Sequence, residues 1–264
     1  MTVTNSSPCN GRTIASRKVV AIRVDATSYS DASNRILEMA ITAKSAYVCV
    51  ANVHMTMEAH DDSAFRQVVN GADLVVPDGM PLVWALRKLG VTTATRVRGP
   101  ELVFWIAAQA AKHRIPLGIY GGRPEVAVEF ARQLQNRYAS LVVSAIISPP
   151  YRHLSTEEEA ALAKQIRESG ARIVLVGLGC PKQEKWMARN VEAVGAVLVG
   201  VGAAFDFHTG RIEEAPPWMQ ERGLEWLFRL SREPKRLWRR YAWHNPRFLG
   251  LLAVQLLRRI KTPD

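Results

Sequence analysis

Cysteine is scarce in this chain. Cys9, Cys49 and Cys180 are the three present in 264 residues, an odd total without any C-x-x-C pair, which argues against a disulfide framework and suits a reducing compartment. The histidines His54, His60, His113, His153, His208 and His244 show no paired ligand spacing of the H-E-x-x-H kind. No Asp-x-Asp pair is present, so metal-independent chemistry without a cofactor is expected. A G-x-x-x-x-G-K-[ST] loop is missing too, and G-x-G-x-x-G is never completed, because Lys182 and Phe205 occupy the third glycine positions of its two candidate runs. Support for a dinucleotide-dependent oxidoreductase falls accordingly. Long apolar runs are also lacking. The opening MTVTNSSPCNGRTIASRKVV has no signal-peptide core, and residues 1–15 are expected to form a flexible leader. The longest nearly apolar stretch, Phe248 to Leu257, is too short to span a bilayer at ~1.5 Å per helical residue.

What the chain has in excess is positive charge, +11 overall. Its position matters more than its size. Between Trp226 and Lys261 ten basic residues, among them Arg229, Arg232, Arg236 and Arg240, are opposed by Glu233 alone, and Trp226, Trp238, Tyr241, Trp243 and Phe248 are interleaved with them. Cations that attract anionic headgroups, next to aromatics that favour the interfacial zone, suit a membrane surface. The same mixture would suit nucleic acid, with an affinity falling steeply as salt rises.

Upstream of that segment, short runs rich in Val, Ile and Leu recur: Tyr47 to Val53, Asp73 to Val76, Leu117 to Tyr120, Leu141 to Ile147, Arg172 to Val176 and Ala196 to Val201. Unbroken apolar runs of this length predict strands buried on both faces. Segments with helical spacing lie between them, near 56–70, 80–90, 100–114, 124–138, 155–169 and 182–193. Ser155 with Glu158 makes a capping box, and Pro100 and Pro124 suit first helical turns. Such alternation predicts an α/β fold: a Rossmann-like three-layer core with a mostly parallel sheet. Val19 to Val24 is read as a further strand. The alternation stops near residue 212, which predicts a catalytic domain over 16–212 and a basic, Trp-rich C-terminal appendage over 213–264.

Ligands of open α/β sheets bind beyond the carboxyl ends of the strands, so the loops there hold the candidate residues. Asn52 follows the first core run and Asp78 the second, although each also suits a cap or turn. Arg96 and Arg98 precede a helix N-terminus, a setting suited to anions. Gly121 and Gly122 would let backbone N–H groups approach a phosphate. The most distinctive run places Gly177, Gly179, Lys182, Gln183 and Glu184 where a strand turns into a helix, a combination suited to a diphosphate and its sugar.

Taken in register, Asn52-Val53-His54-Met55, Pro77-Asp78-Gly79-Met80-Pro81, Arg96-Val97-Arg98-Gly99-Pro100, Gly177 through Glu184, Ala215-Pro216-Pro217-Trp218-Met219 and Gly223 through Leu230 resemble the motif series of the WecG/TagA/CpsF glycosyltransferases, over about residues 47–245. The resemblance implies an inverting transferase with its own Rossmann-like fold, acting on a UDP-sugar donor and a polyprenyl-diphosphate-linked acceptor in teichoic acid, common antigen or exopolysaccharide synthesis. It makes Asp78 the catalytic aspartate, Asn52 the polar pocket asparagine, Arg98 the motif arginine with Arg96 as alternative, and Gln183 the motif glutamine. Val50 stands where some relatives carry a threonine.

Under this reading Asp78 takes the acceptor hydroxyl proton. Arginines, Lys182 and helix N-terminal amides stabilise departing UDP. Arg229, Arg232 and Arg236 are candidates to close over the donor diphosphate at the membrane. The expected setting is the cytoplasm, bound peripherally to the inner face of the plasma membrane, with no nucleic-acid partner and with a homo-oligomer as one outcome for the exposed Trp/Leu surface. A non-catalytic sugar-binding relative is the remaining alternative, disfavoured by the retained Asp78 and Gln183.

Overall fold

The computed structural model describes residues 14–261, so the leader expected over residues 1–15 lies almost wholly outside the described residues. The path begins with β1 (Ser16–Val19), β2 (Ile22–Asp25), α1 (Tyr29–Ile41), β3 (Ala46–Ala51), α2 (Val53–Asp61), α3 (Ser63–Asn70), β4 (Leu74–Pro77), α4 (Met80–Lys88) and α5 (Gly99–His113). It continues with β5 (Leu117–Gly121), α6 (Pro124–Arg137), β6 (Val143–Ile147), α7 (Thr156–Glu168), β7 (Ile173–Gly177), α8 (Lys182–Val194) and β8 (Val197–Gly200). Four helices close it: α9 (Ala204–His208), α10 (Pro217–Glu221), α11 (Glu225–Arg232) and α12 (Pro234–Lys261).

Six strands form one parallel sheet in the order β4-β3-β8-β7-β5-β6. Alternation along each strand supplies two separate cores. Cys49, Val75, Tyr120, Val174, Val176 and Leu198 face α2, α3, α4, α7 and α8. Val48, Val50, Leu74, Val76, Ile119, Leu175 and Val199 face α1, α5, α6 and α9. Both layers are apolar, which is why the strand segments read as unbroken runs, and each fully buried Val, Leu or Ile contributes roughly 1.5–3 kcal/mol. The three-layer α/β core is the one the alternation predicts.

Three elements differ from the sequence expectation. Val19 to Val24 is a two-stranded antiparallel hairpin, not one strand, turned at Val20 with φ 57°. Gln255 of α12 steadies that turn, accepting from Val20 N at 2.9 Å and donating to Lys18 O at 2.7 Å. The helix expected over 56–70 is two, because Asp62 ends α2 and its carboxylate accepts from Ala64 N and Phe65 N to cap α3. The segment 29–41 is a helix started by a capping box of Ser28 with Asp31, a variant of the Ser/Glu pairing.

Beyond β8 the chain is helical. α12 lies against α2, and its Phe248 is 1% exposed within the first core. Pro246 is inside α12. Among the described residues no helix is long and apolar enough to cross a membrane.

Candidate active site

The six parallel strands end at one rim of the sheet, and β3 and β4 are neighbours there. Their following loops therefore touch: a Cβ at Gly79 would lie 3.6 Å from Asn52 Cβ. Asn52 caps α2 by accepting from Met55 N at 3.2 Å, which leaves its amide NH2 group for a ligand. Asp78 donates its backbone N–H to Ala51 O at 2.8 Å, extending the strand pairing by one residue. Both side chains line a cavity of about 310 Å³ whose opposite wall comes from residues 222–249. A volume near 300 Å³ falls at the lower end for small-molecule sites.

Asp78 is half-buried, crowded by protein yet open to the cavity. Burial raises its pKa from 3.8 to about 6, and Glu225 and Glu101 push the same way while Arg96 and Arg98 oppose. A carboxyl titrating near 6 is a stronger base than an ordinary aspartate and remains ionised at neutral pH.

The two arginines of the 96–100 motif do different work. Arg96 lines the cavity. Its Nε donates to the Asp78 backbone carbonyl, Nη1 to Gln220 O at 3.1 Å and Nη2 to Glu225 Oε2 at 2.6 Å. Arg98, 4% exposed, points instead into a carboxylate cluster. It bonds Glu101, Gln220 Oε1 at 2.6 Å and Glu214 Oε2 at 3.2 Å, with Glu225 Oε2 at 3.5 Å. Burial alone would raise Glu225, but Arg98 and Arg96 outweigh it and hold that carboxyl below its usual range. Arg98 thus fastens Glu214 and the start of α11 to the core, and its guanidinium is not on the cavity wall.

The far wall is the basic, aromatic C-terminal segment. Arg222, Trp226, Arg229, Arg240, Tyr241 and His244 line it, with the Trp226 and Tyr241 rings 5.8 Å apart edge to face. Arg229 and Arg240 each keep a buried Nε without a hydrogen-bond partner. Burial presses the Arg240 pKa down. Unsatisfied guanidinium donors beside a cavity are a setting for an anion. Gly223, at φ 70°, lets the chain cross α4 closely: a Cβ there would meet the Trp84 ring at 2.8 Å.

The glycines and residues 182–184 follow the strand ends on the same rim but are not on this cavity wall. Gly121 (φ 107°) and Gly177 bring β5 and β7 together at their ends, since a Cβ on Gly121 would lie 2.5 Å from Gly177 O, and Gly122 N donates to Gly177 O at 3.1 Å. Gly179 is at φ 78° in the following turn. Lys182 is exposed, its Nζ 5.1 Å from the Tyr151 ring centroid. Gln183 is buried: its Oε1 accepts from Gly202 N at 3.1 Å, and its Nε2 donates to Glu184 Oε1 at 2.6 Å. Glu184 is fully buried beside it, and burial lifts its pKa to about 7 against the pull of the Gln183 hydrogen bond. Of the three appendage candidates, Arg229 reaches the cavity. Arg232 pairs with Glu213 at 2.7 Å and Arg236 with Glu233 at 2.7 Å.

Arg222, Arg240 and Tyr241 line the cavity although no motif in the sequence marks them. Their signal is in the sequence only as part of the C-terminal cluster of basic and aromatic residues. The model of the Glycosyl transferase WecG/TagA/CpsF family matches residues 17–262, from β1 through the whole of α12. The chain belongs to that family, and is by that membership a glycosyltransferase of cell-surface polysaccharide synthesis.

Proposed function

We propose that the protein is an inverting glycosyltransferase that moves a sugar from a UDP-sugar to a polyprenyl-diphosphate-linked glycan, with Asp78 as general base. The observation that carries this reading is the pairing of a half-buried carboxyl, titrating near 6, with four arginines, Arg96, Arg222, Arg229 and Arg240, lining one cavity. In a single displacement the acceptor hydroxyl attacks the anomeric carbon as its proton passes to the Asp78 carboxylate, and the bond to the UDP oxygen breaks. Charge grows on the leaving diphosphate. Arg96, Arg229 and Arg240, joined by Arg222, are the cations on the cavity wall that would meet it. Because those four supply the positive charge, the displacement requires no metal ion. The Asn52 amide NH2 is left to hold a sugar or base oxygen.

The acceptor is tethered to lipid, so the enzyme must work at the bilayer surface. Trp238 (52% exposed) and Trp243 (62%) on α12, with the surrounding arginines, suit peripheral attachment to an anionic leaflet on the cytoplasmic side. The catalytic core over residues 16–212 and the C-terminal segment over 213–264 then have separate tasks, chemistry and closure at the membrane. The decisive assay supplies a panel of UDP-sugars with a short-chain prenyl-diphosphate-linked acceptor. One donor should yield free UDP and an extended acceptor of inverted anomeric configuration. Retained configuration, or no transfer from any UDP-sugar, would refute the reading.

A further inference from the structure

A cluster beside the cavity takes no part in the transfer just described. We propose that His54, Glu58 and His244 bind one divalent transition-metal cation of the zinc class, which staples α12 to α2.

His54 and Glu58 are i and i+4 on α2 and share a face. His244 reaches them from α12. Glu58 Oε1 lies 3.7 Å from His54 Nδ1 and 3.5 Å from His244 Nε2, and one ligand atom from each residue falls within 4.8 Å of the other two. Ligands bonded to zinc at ~2.0–2.1 Å in a tetrahedron are roughly 3.3 Å apart. Small rotamer shifts would close the difference on both edges to Glu58. The imidazole rings are 5.2 Å apart and tilted by 60°, so they do not stack.

The donor set is apt for this ion. Two imidazoles and a carboxylate make a three-ligand zinc set with a fourth position open. His54 Nδ1, the atom nearest Glu58, is buried without a hydrogen-bond partner, and His244, whose Nε2 faces the same carboxylate, is only 8% exposed.

Neighbouring charges decide which class of metal fits. Arg240 opposes any cation here, whereas Arg247 is already bound to Asp61 by two hydrogen bonds of 2.6 and 2.8 Å. A hard ion held by charge alone, such as magnesium or calcium, would be disfavoured. An ion held by coordinate bonds to imidazole nitrogen is the better match. Because His54 and His244 also line the cavity, the bound ion would hold α12 seated over it.

The full chain, stripped with chelator, is titrated with Zn²⁺ by calorimetry, and with Co²⁺ by visible absorption. One equivalent of Zn²⁺ should bind with a Kd near or below about 1 μM, with a Co²⁺ spectrum of low coordination number. Added Zn²⁺ should raise the Tm. Glu58→Gln, His244→Gln and His54→Gln should each weaken binding at least about tenfold and remove the Tm shift. Any variant that loses its far-UV circular dichroism is set aside, and the folded ones decide. No Zn²⁺ binding by the parent, or binding unchanged in the folded variants, overturns the proposal.

Discussion

At the residue scale the chemistry turns on Asp78, whose carboxyl is lifted to about 6 mainly by burial. A base must be ionised, so kcat/KM should rise with pH through about 6 and level off above it. A profile flat between pH 5 and 7 would contradict that. The sign for stability is opposite. The folded pKa is above the unfolded value of 3.8, so the group favours the folded state fully below pH 3.8 and loses that contribution as pH rises through 6. Activity and stability therefore ask different things of this carboxyl, as expected where a charged group is held partly desolvated. Asn52 makes a related point, because capping α2 and offering an amide NH2 to the cavity are compatible roles for one side chain.

At the element scale, Arg98 links the start of α5 to Glu214 and to Glu225 at the start of α11. Arg98→Ala should cost about 2–4 kcal/mol in denaturant unfolding, less than for a wholly buried cluster because Glu101 and Glu214 keep part of their hydration. It should also expose residues 214–225 to protease. An unchanged unfolding midpoint would mean the cluster is not holding those elements together. The core strands were readable in the sequence because β3, β4, β7 and β8 are covered on both faces. Local spacing conveyed less elsewhere. Val20 at φ 57° turns one apparent strand into a hairpin, and Asp62 breaks one apparent helix, because each is settled by a single backbone position inside an otherwise periodic segment. Gln183 reads as a substrate contact in the sequence, and in the fold its amide also ties Gly202 N to Glu184. Arg222 and Arg240 were hidden for another reason: their place on the cavity wall arises from α10 to α12 folding back over loops more than a hundred residues earlier, which no short motif records.

Across the whole molecule, a parallel sheet presents its loops on one rim and the basic C-terminal helices cover one end of that rim. Exposed Trp238, Trp243, Leu249 and Leu257 lie among the arginines of the same segment. The protein should therefore float with vesicles containing anionic lipid and be released as salt is raised to about 1 M, where the screening length is roughly 3 Å. Equal binding to neutral vesicles would rule out the electrostatic part, and preferential binding to oligonucleotides would favour a nucleic-acid role. The claim on which everything else rests is that chemistry occurs at Asp78, within the cavity this covering creates. Its most direct test is turnover by Asp78→Asn at saturating donor and acceptor, with donor affinity measured separately by calorimetry. If Asp78 is the base, kcat falls about 10²-fold or more with donor Kd nearly unchanged; near-normal turnover by that variant would remove Asp78 from the role.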